Sequence, residues 1–375
     1  MENNIVPVLI KKLCDSLNSS GLDYCHWKSN AALDRSATGE NDLDLLISRA
    51  DVQRFSEILF RLGFRQAHER PEHLLPGVVD YYGYDYETCR WVHVHTHYQL
   101  VLGHDATKNY HIPVEKAYLA SSSQNGLFKV PSAEFELIIL VIRMVLKHCT
   151  WDTLLLHQGK LSSSERNELN YLLNQISKSE LNELLKKHFT YIDPGLFDEC
   201  LQMLLSGSAA WKRAQVGRKL LNCLTPYARR PKNVDAMLKI WRRFYWPFQS
   251  RILRTEDRKQ MTSGGLLVAV VGGDGAGKTT VIDEVNRWLR EDFEVHKFHM
   301  GKPRWSFSTI IIRGLIKIGR TLGFYPFMRA EICYTNDADL LVFPGYPWLI
   351  REVCTARDRY LTYIKARRLA SNGGV

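Results

Sequence analysis

The chain has 375 residues, 45% of them apolar and 24% charged, with eight cysteines and a formal net charge of +10. Length and composition suit two or three core-forming domains. The cysteines are scattered without a CxxC pair and no apolar run reaches the ~20 residues of a membrane span, which excludes a disulfide framework, a zinc ribbon and a spanning helix and leads to the expectation of a cytoplasmic protein with reduced thiols.

In chain order, residues 1–20 form a helical pattern with Val6, Leu9, Ile10 and Leu13 on one side. The runs YCHWKSN and DLDLLIS alternate like strands, and ADVQRFSEILFRLGF is an amphipathic helix. RWVHVHTHYQLVLG alternates again, giving an expected α+β domain over residues 1–130. Residues 131–206 read as a helical domain, with serine ahead of glutamate at 164–168 and 177–180 in the manner of helix starts. Residues 207–263 are a basic, aromatic connecting segment with 14 Lys and Arg against 3 Asp and Glu; residues 1–130 and 131–206 are each net −3. After Gly264-Gly265, an apolar run LLVAVV opens a last unit over 264–375.

That run leads into Gly272, Gly273, Asp274, Gly275, Ala276, Gly277, Lys278, Thr279 and Thr280, which satisfy G-x-x-x-x-G-K-[ST]. Val281, Ile282, Val285 and Leu289 then mark a helix face. Glycines let backbone N–H groups curl around phosphate oxygens, and the helix start adds partial positive charge. Lys278 is placed to meet the β- and γ-phosphates of ATP, and the Thr279 hydroxyl to ligate Mg²⁺. The wording GGDGAGKTT resembles thymidylate kinases and related nucleoside-monophosphate kinases. The resemblance implies phosphoryl transfer from Mg·ATP to a nucleoside monophosphate, with Asp274 near the acceptor sugar and Lys278 on ATP. Lys302 and Arg304, after the expected strand FEVHKFHM, stand where the family holds its acceptor phosphate, although the family's glutamate is missing. Asp358-Arg359-Tyr360 imitates a motif that the family carries at a strand end, but here it sits in a helical pattern. The family's parallel sheet needs five strands, and only two are evident in the 112 residues after 263, so a kinase-like domain that is incomplete is expected.

In the first domain, GENDLDLLI places Asp42 and Asp44 two apart on a strand, where both face the same way and suit a Mg²⁺ carrying a triphosphate. With HWKSN upstream, this resembles the nucleotidyltransferase superfamily. Lys28-Ser29 replaces the family's Gly-Ser turn, and His93, His95 and His97 stand where a third acid is expected. The three histidines share one strand face, so a pair of them suits zinc, or they form a polar sheet face. The segment MLKIWRRFYWPFQSRILR suits three roles: packing between domains, an anionic membrane surface, or nucleic acid. The expectation is thus an α/β chain whose main activity is kinase-like, with nucleotidyl transfer by the first domain, or nucleotide binding without catalysis, as the alternatives.

Overall fold

Each alternating run in the first third contributes a strand, and each strand turns one face to a core. The computed structural model describes residues 5–69, 74–104, 107–149, 161–206, 209–248, 258–323 and 346–375. The chain divides into two compact units, Met1–Asp257 and Arg258–Val375.

The first unit opens with helix α1 (Val8–Ser19), strand β1 (Tyr24–His26), short helix α2 (Leu33–Ala37) and strand β2 (Leu43–Ile47). Helix α3 (Val52–Arg61) precedes strands β3 (Arg65–His68), β4 (Val78–Asp85) and β5 (Arg90–His97). Within the unit the sheet runs β1-β2-β5-β4-β3. Strands β2 and β5 are parallel, and the other neighbours are antiparallel. Because strand side chains alternate between faces, Leu43, Leu45, Ile47, Val92 and Val94 share a core with Leu9, Leu13, Phe55 and Leu59 of α1 and α3. The opposite face is left to Asp44, Leu46 and the three histidines of β5.

Two short hairpins, β6 (Val101–Leu102) with β7 (Tyr110–His111) and β8 (Ser123–Asn125) with β9 (Phe128–Val130), flank helix α4 (Glu115–Ala120). Helix α5 (Ala133–His148) is apolar on nearly every side and buried accordingly, the behaviour of a central core helix. Around it lie α6 (Ser163–Leu173), α7 (Lys178–His188), α8 (Pro194–Ser206) and α9 (Ala210–Cys223). Their apolar side chains join Cys25, Trp27 and Leu46 of the sheet in one cluster, so sheet and helices share a core. One of the two helix starts falls slightly off the expected serine. Ser162, not Ser164, forms a reciprocal capping box with Glu165, because only that pair has the three-residue spacing. Ser177 caps α7 without a side-chain bond.

Helix α10 (Lys232–Phe248) carries the basic aromatic segment; Trp241 stacks on Tyr245, and Trp241 and Phe244 are exposed. The side chains of Trp246 and Phe248, and residues 249–257, lie outside the described residues.

Among the described residues of the second unit the expected parallel sheet is not found, and these residues are mainly helical: α11 (Lys278–Leu289), α12 (Phe307–Thr321) and α13 (Tyr346–Ser371). The runs LLVAVV and FEVHKFHM were expected to be strands. Among the described residues, however, 266–271 have no ladder partner, and Leu266, Val268 and Val271 are exposed. An extended segment becomes a strand only where a neighbour takes up its N–H and C=O groups. Phe293 makes a single parallel bridge to Lys259, and Val375 hydrogen-bonds Glu294 and His296 in the pattern of another. The motif at 358–360 is helical, as its periodicity indicated. Asp358 is buried and accepts hydrogen bonds from Ser306 N (2.9 Å) and Thr309 Oγ1 (2.6 Å), tying α13 to the start of α12.

Candidate active site

The parallel register of β2 on β5 sets Leu43 beside Val94 and Asp44 beside His95. Asp42, just ahead of β2, therefore falls beside His93, and its Oδ1 lies 2.7 Å from His93 Nδ1. On the far side of β5, β4 places Asp80 opposite His95, and Asp80 Oδ1 lies 2.7 Å from His93 Nε2. His93 thus bridges two carboxylates from different strands and stacks flat on Tyr82, with ring centroids 4.4 Å apart. A third carboxylate, absent from HVHTH itself, thus reaches this face from one strand further over. Its only sequence signal was the first aspartate of the run VVDYYGYD, whose pairing with β5 no local pattern reveals.

Deeper on the same face, Asp44 Oδ1 meets Lys28 Nζ at 2.8 Å and His95 Nδ1 at 3.6 Å. His95 and His97 are stacked with centroids 4.6 Å apart, and His97 abuts the Trp27 ring at 4.8 Å. Burial is the main influence on both imidazoles. It lowers His95 to about 4 and His97 well below the ordinary range, so both are neutral at physiological pH.

Lys28 is positioned by a turn that connects β1 to α2. Ser29 adopts a left-handed conformation (φ 59°), unusual for a residue with a Cβ. Two glutamates from the helical layer hold it there. Ser29 N donates to Glu168 Oε1 (3.0 Å), while Asn30 donates from N and Nδ2 to Glu136 (3.2 and 2.8 Å). Glu136 is buried in α5; burial raises its carboxyl to about 7 despite the opposing hydrogen bonds from Asn30. The two N–H groups of this turn are therefore already accepted by protein carboxylates.

A cavity of about 480 Å³ opens over this face. Asp42 and Asp44 line it together with four cations, Lys28, Lys108, Arg143 and Lys147. Arg143 reaches Glu168 at 3.3 Å, and Lys147 reaches Glu165 at 3.1 Å. The arrangement combines carboxylates able to hold a metal with side chains able to hold phosphate.

The other predicted residues, Gly272 to Thr280, lie in the second unit. Gly275 and Gly277 adopt positive φ, and α11 begins at Lys278. Lys278 Nζ donates to the carbonyls of Gly272 (2.8 Å) and Gly273.

Residues 39–160 match a family described as "Uncharacterised nucleotidyltransferase". The match covers β2 through α5, hence both aspartates, the histidine strand and Asp80. The first unit thus contains a nucleotidyltransferase-like domain. Comparison with curated proteins and with solved structures gave no match. Of the functions expected from the sequence, these findings back the alternative of nucleotidyl transfer better than the kinase, for which they offer nothing. Among the described residues no helix is long and apolar enough to cross a membrane.

Proposed function

We propose that the first unit is a nucleotidyltransferase that binds a nucleoside triphosphate over β2 and β5 and transfers its nucleotidyl group to a hydroxyl acceptor. The observation that carries this reading is the pair Asp42 and Asp44 on one strand face, at a cavity lined by four cations. Those cations suit the charge of a triphosphate. Since Glu168 and Glu136 already occupy the N–H groups of the 28–30 turn, side chains rather than that backbone would grip the phosphates.

The donor set fits a divalent cation: two carboxylates two residues apart, with neutral imidazoles behind them. Such a cation, when bound, neutralises phosphate charge and orients the α-phosphate. In the transfer, the acceptor oxygen bonds to the α-phosphorus and the bond to the β-phosphate bridging oxygen breaks. Pyrophosphate leaves with that electron pair, and the acceptor proton passes to water. Lys28, Lys108, Arg143 and Lys147 would retain the leaving pyrophosphate, and the bridge from His93 to Asp80 holds Asp42 in place.

Titrating the full chain with Mg·NTP by calorimetry tests this. In a chain that also carries Lys278→Ala, to silence the loop at 272–280, Asp42→Asn combined with Asp44→Asn should eliminate binding. Unaltered binding in the double variant would remove the site from consideration.

A second reading concerns the second unit, where we infer ATP binding at Gly272–Thr280, with Thr279 on Mg²⁺, Asp274 toward a nucleoside-monophosphate acceptor and Lys278 on the phosphates. It is supported by the turn of Lys278 onto the loop carbonyls at the start of α11. Lys278→Ala is its test.

A further inference from the structure

Behind the carboxylate pair, the sheet gathers a second set of donors. Asp44, His95 and His97 each offer one ligand atom, and these lie within 4.8 Å of one another. His97 is almost wholly buried, and among the described residues neither of its ring nitrogens has a hydrogen-bond partner. A buried imidazole in a polar surrounding ordinarily satisfies at least one nitrogen, so a bare one beside a carboxylate and a second imidazole calls for a ligand. The strand explains how the set arises. His95 and His97 are two apart on β5 and share a face, while the parallel register delivers Asp44 from β2. The 3.6 Å from Asp44 Oδ1 to His95 Nδ1 is already close to the ~3.3 Å edge of a tetrahedron with ligand bonds of about 2.0 Å.

We propose that Asp44, His95 and His97 form a site for one resident transition-metal ion of zinc type, with its remaining position open to the cavity. Two imidazole nitrogens and one carboxylate favour a borderline ion over Mg²⁺, which prefers an octahedron of oxygens. Asp44 is the point of contact with the nucleotide site, so the functional role of the ion rests on the nucleotidyltransferase reading, whereas its binding does not. Lys28 supplies a control built into the fold. Its ammonium lies 2.8 Å from Asp44 Oδ1, occupying the carboxylate that the metal needs. The lysine and the metal therefore compete.

The test is titration of the full, chelator-treated chain with Co²⁺, followed by visible absorption, with Zn²⁺ as displacing ion. One Co²⁺ per chain should bind with the intense bands of a four-coordinate site. His97→Ala and Asp44→Asn should each weaken binding by about 10–100-fold or more, and His93→Gln should leave it unchanged. Lys28→Met should tighten it, a gain that a misfolded variant cannot imitate. Weak six-coordinate absorption, indifference to His97→Ala, or a Lys28→Met chain with unimproved affinity would each overturn the assignment. Should Co²⁺ bind as described while Mg·NTP does not bind, the metal site stands and the nucleotidyltransferase reading falls.

Discussion

Glu136 shows how one buried side chain imposes a pH dependence on the whole first unit. Its carboxyl is raised to about 7 in the folded chain, from 4.5 as the unperturbed value, chiefly because α5 buries it. Between those pH values the folded chain holds a proton that the unfolded chain has released, so the contribution of this carboxyl falls as pH rises through about 4.5 to 7, opposite in sign to the contribution of the buried His95 and His97. The loss amounts to roughly 3 kcal/mol by pH 8, taking ~1.4 kcal/mol per unit. Glu136→Gln cannot ionise and should shift the slope by removing this contribution, so that the variant no longer loses this stability between pH 5 and pH 8. Urea unfolding of both chains at pH 5 and pH 8 measures it, and an equal slope in the variant would disprove the account. The sequence showed Asp42 and Asp44 because residues two apart on a strand share a face. It could not show that Glu136 and Glu168 clamp Ser29 and Asn30 from more than 100 residues away, nor that Asp80 lies opposite His95. Those are consequences of strand register and helix docking.

Elements defined by their own periodicity were legible, and those defined by a partner were not. Helices α1, α3 and α5 carry their patterns locally, and α5 could be identified as buried from its all-round apolarity alone. The LLVAVV run has every local mark of a strand, yet it lacks a described neighbour to pair with. Serine-glutamate spacing sits between these cases, since its hydrogen bonds are local but unforgiving of register. In α6, Glu165 N donates to Ser162 Oγ at 3.2 Å and Ser162 N donates to Glu165 Oε2 at 2.8 Å. The same Glu165 pairs with Lys147 and lies 3.2 Å from His148 Nε2, so the cap also fixes one wall of the cavity. Ser162→Ala should destabilise the first unit by about 1 kcal/mol, read as a lower urea midpoint with an unchanged slope. A larger shift accompanied by a changed slope would mean that α6 does more than cap itself. The same variant should weaken Mg·NTP binding modestly, through looser placement of Lys147.

At the scale of the molecule, everything that the proposed nucleotidyl transfer requires lies in the first unit. Its two cores draw their buried residues from Leu9 to Leu224, and the cavity is lined from Trp27 to Glu165. Among the described residues, both cores and the lining are made of residues from the first unit. A chain of residues 1–257 should therefore unfold cooperatively and bind Mg·NTP with the affinity of the full chain, in a manner abolished by Asp42→Asn with Asp44→Asn. In the full chain, Lys278→Ala should leave that binding untouched, because the loop at 272–280 belongs to the other unit. The pair of measurements separates the two functional readings. If residues 1–257 bind no nucleotide while the full chain binds it in a Lys278-dependent way, the phosphate loop is the nucleotide site and the kinase-like reading prevails. If both sites bind, calorimetry of the full chain should resolve two events, of which Lys278→Ala removes only one.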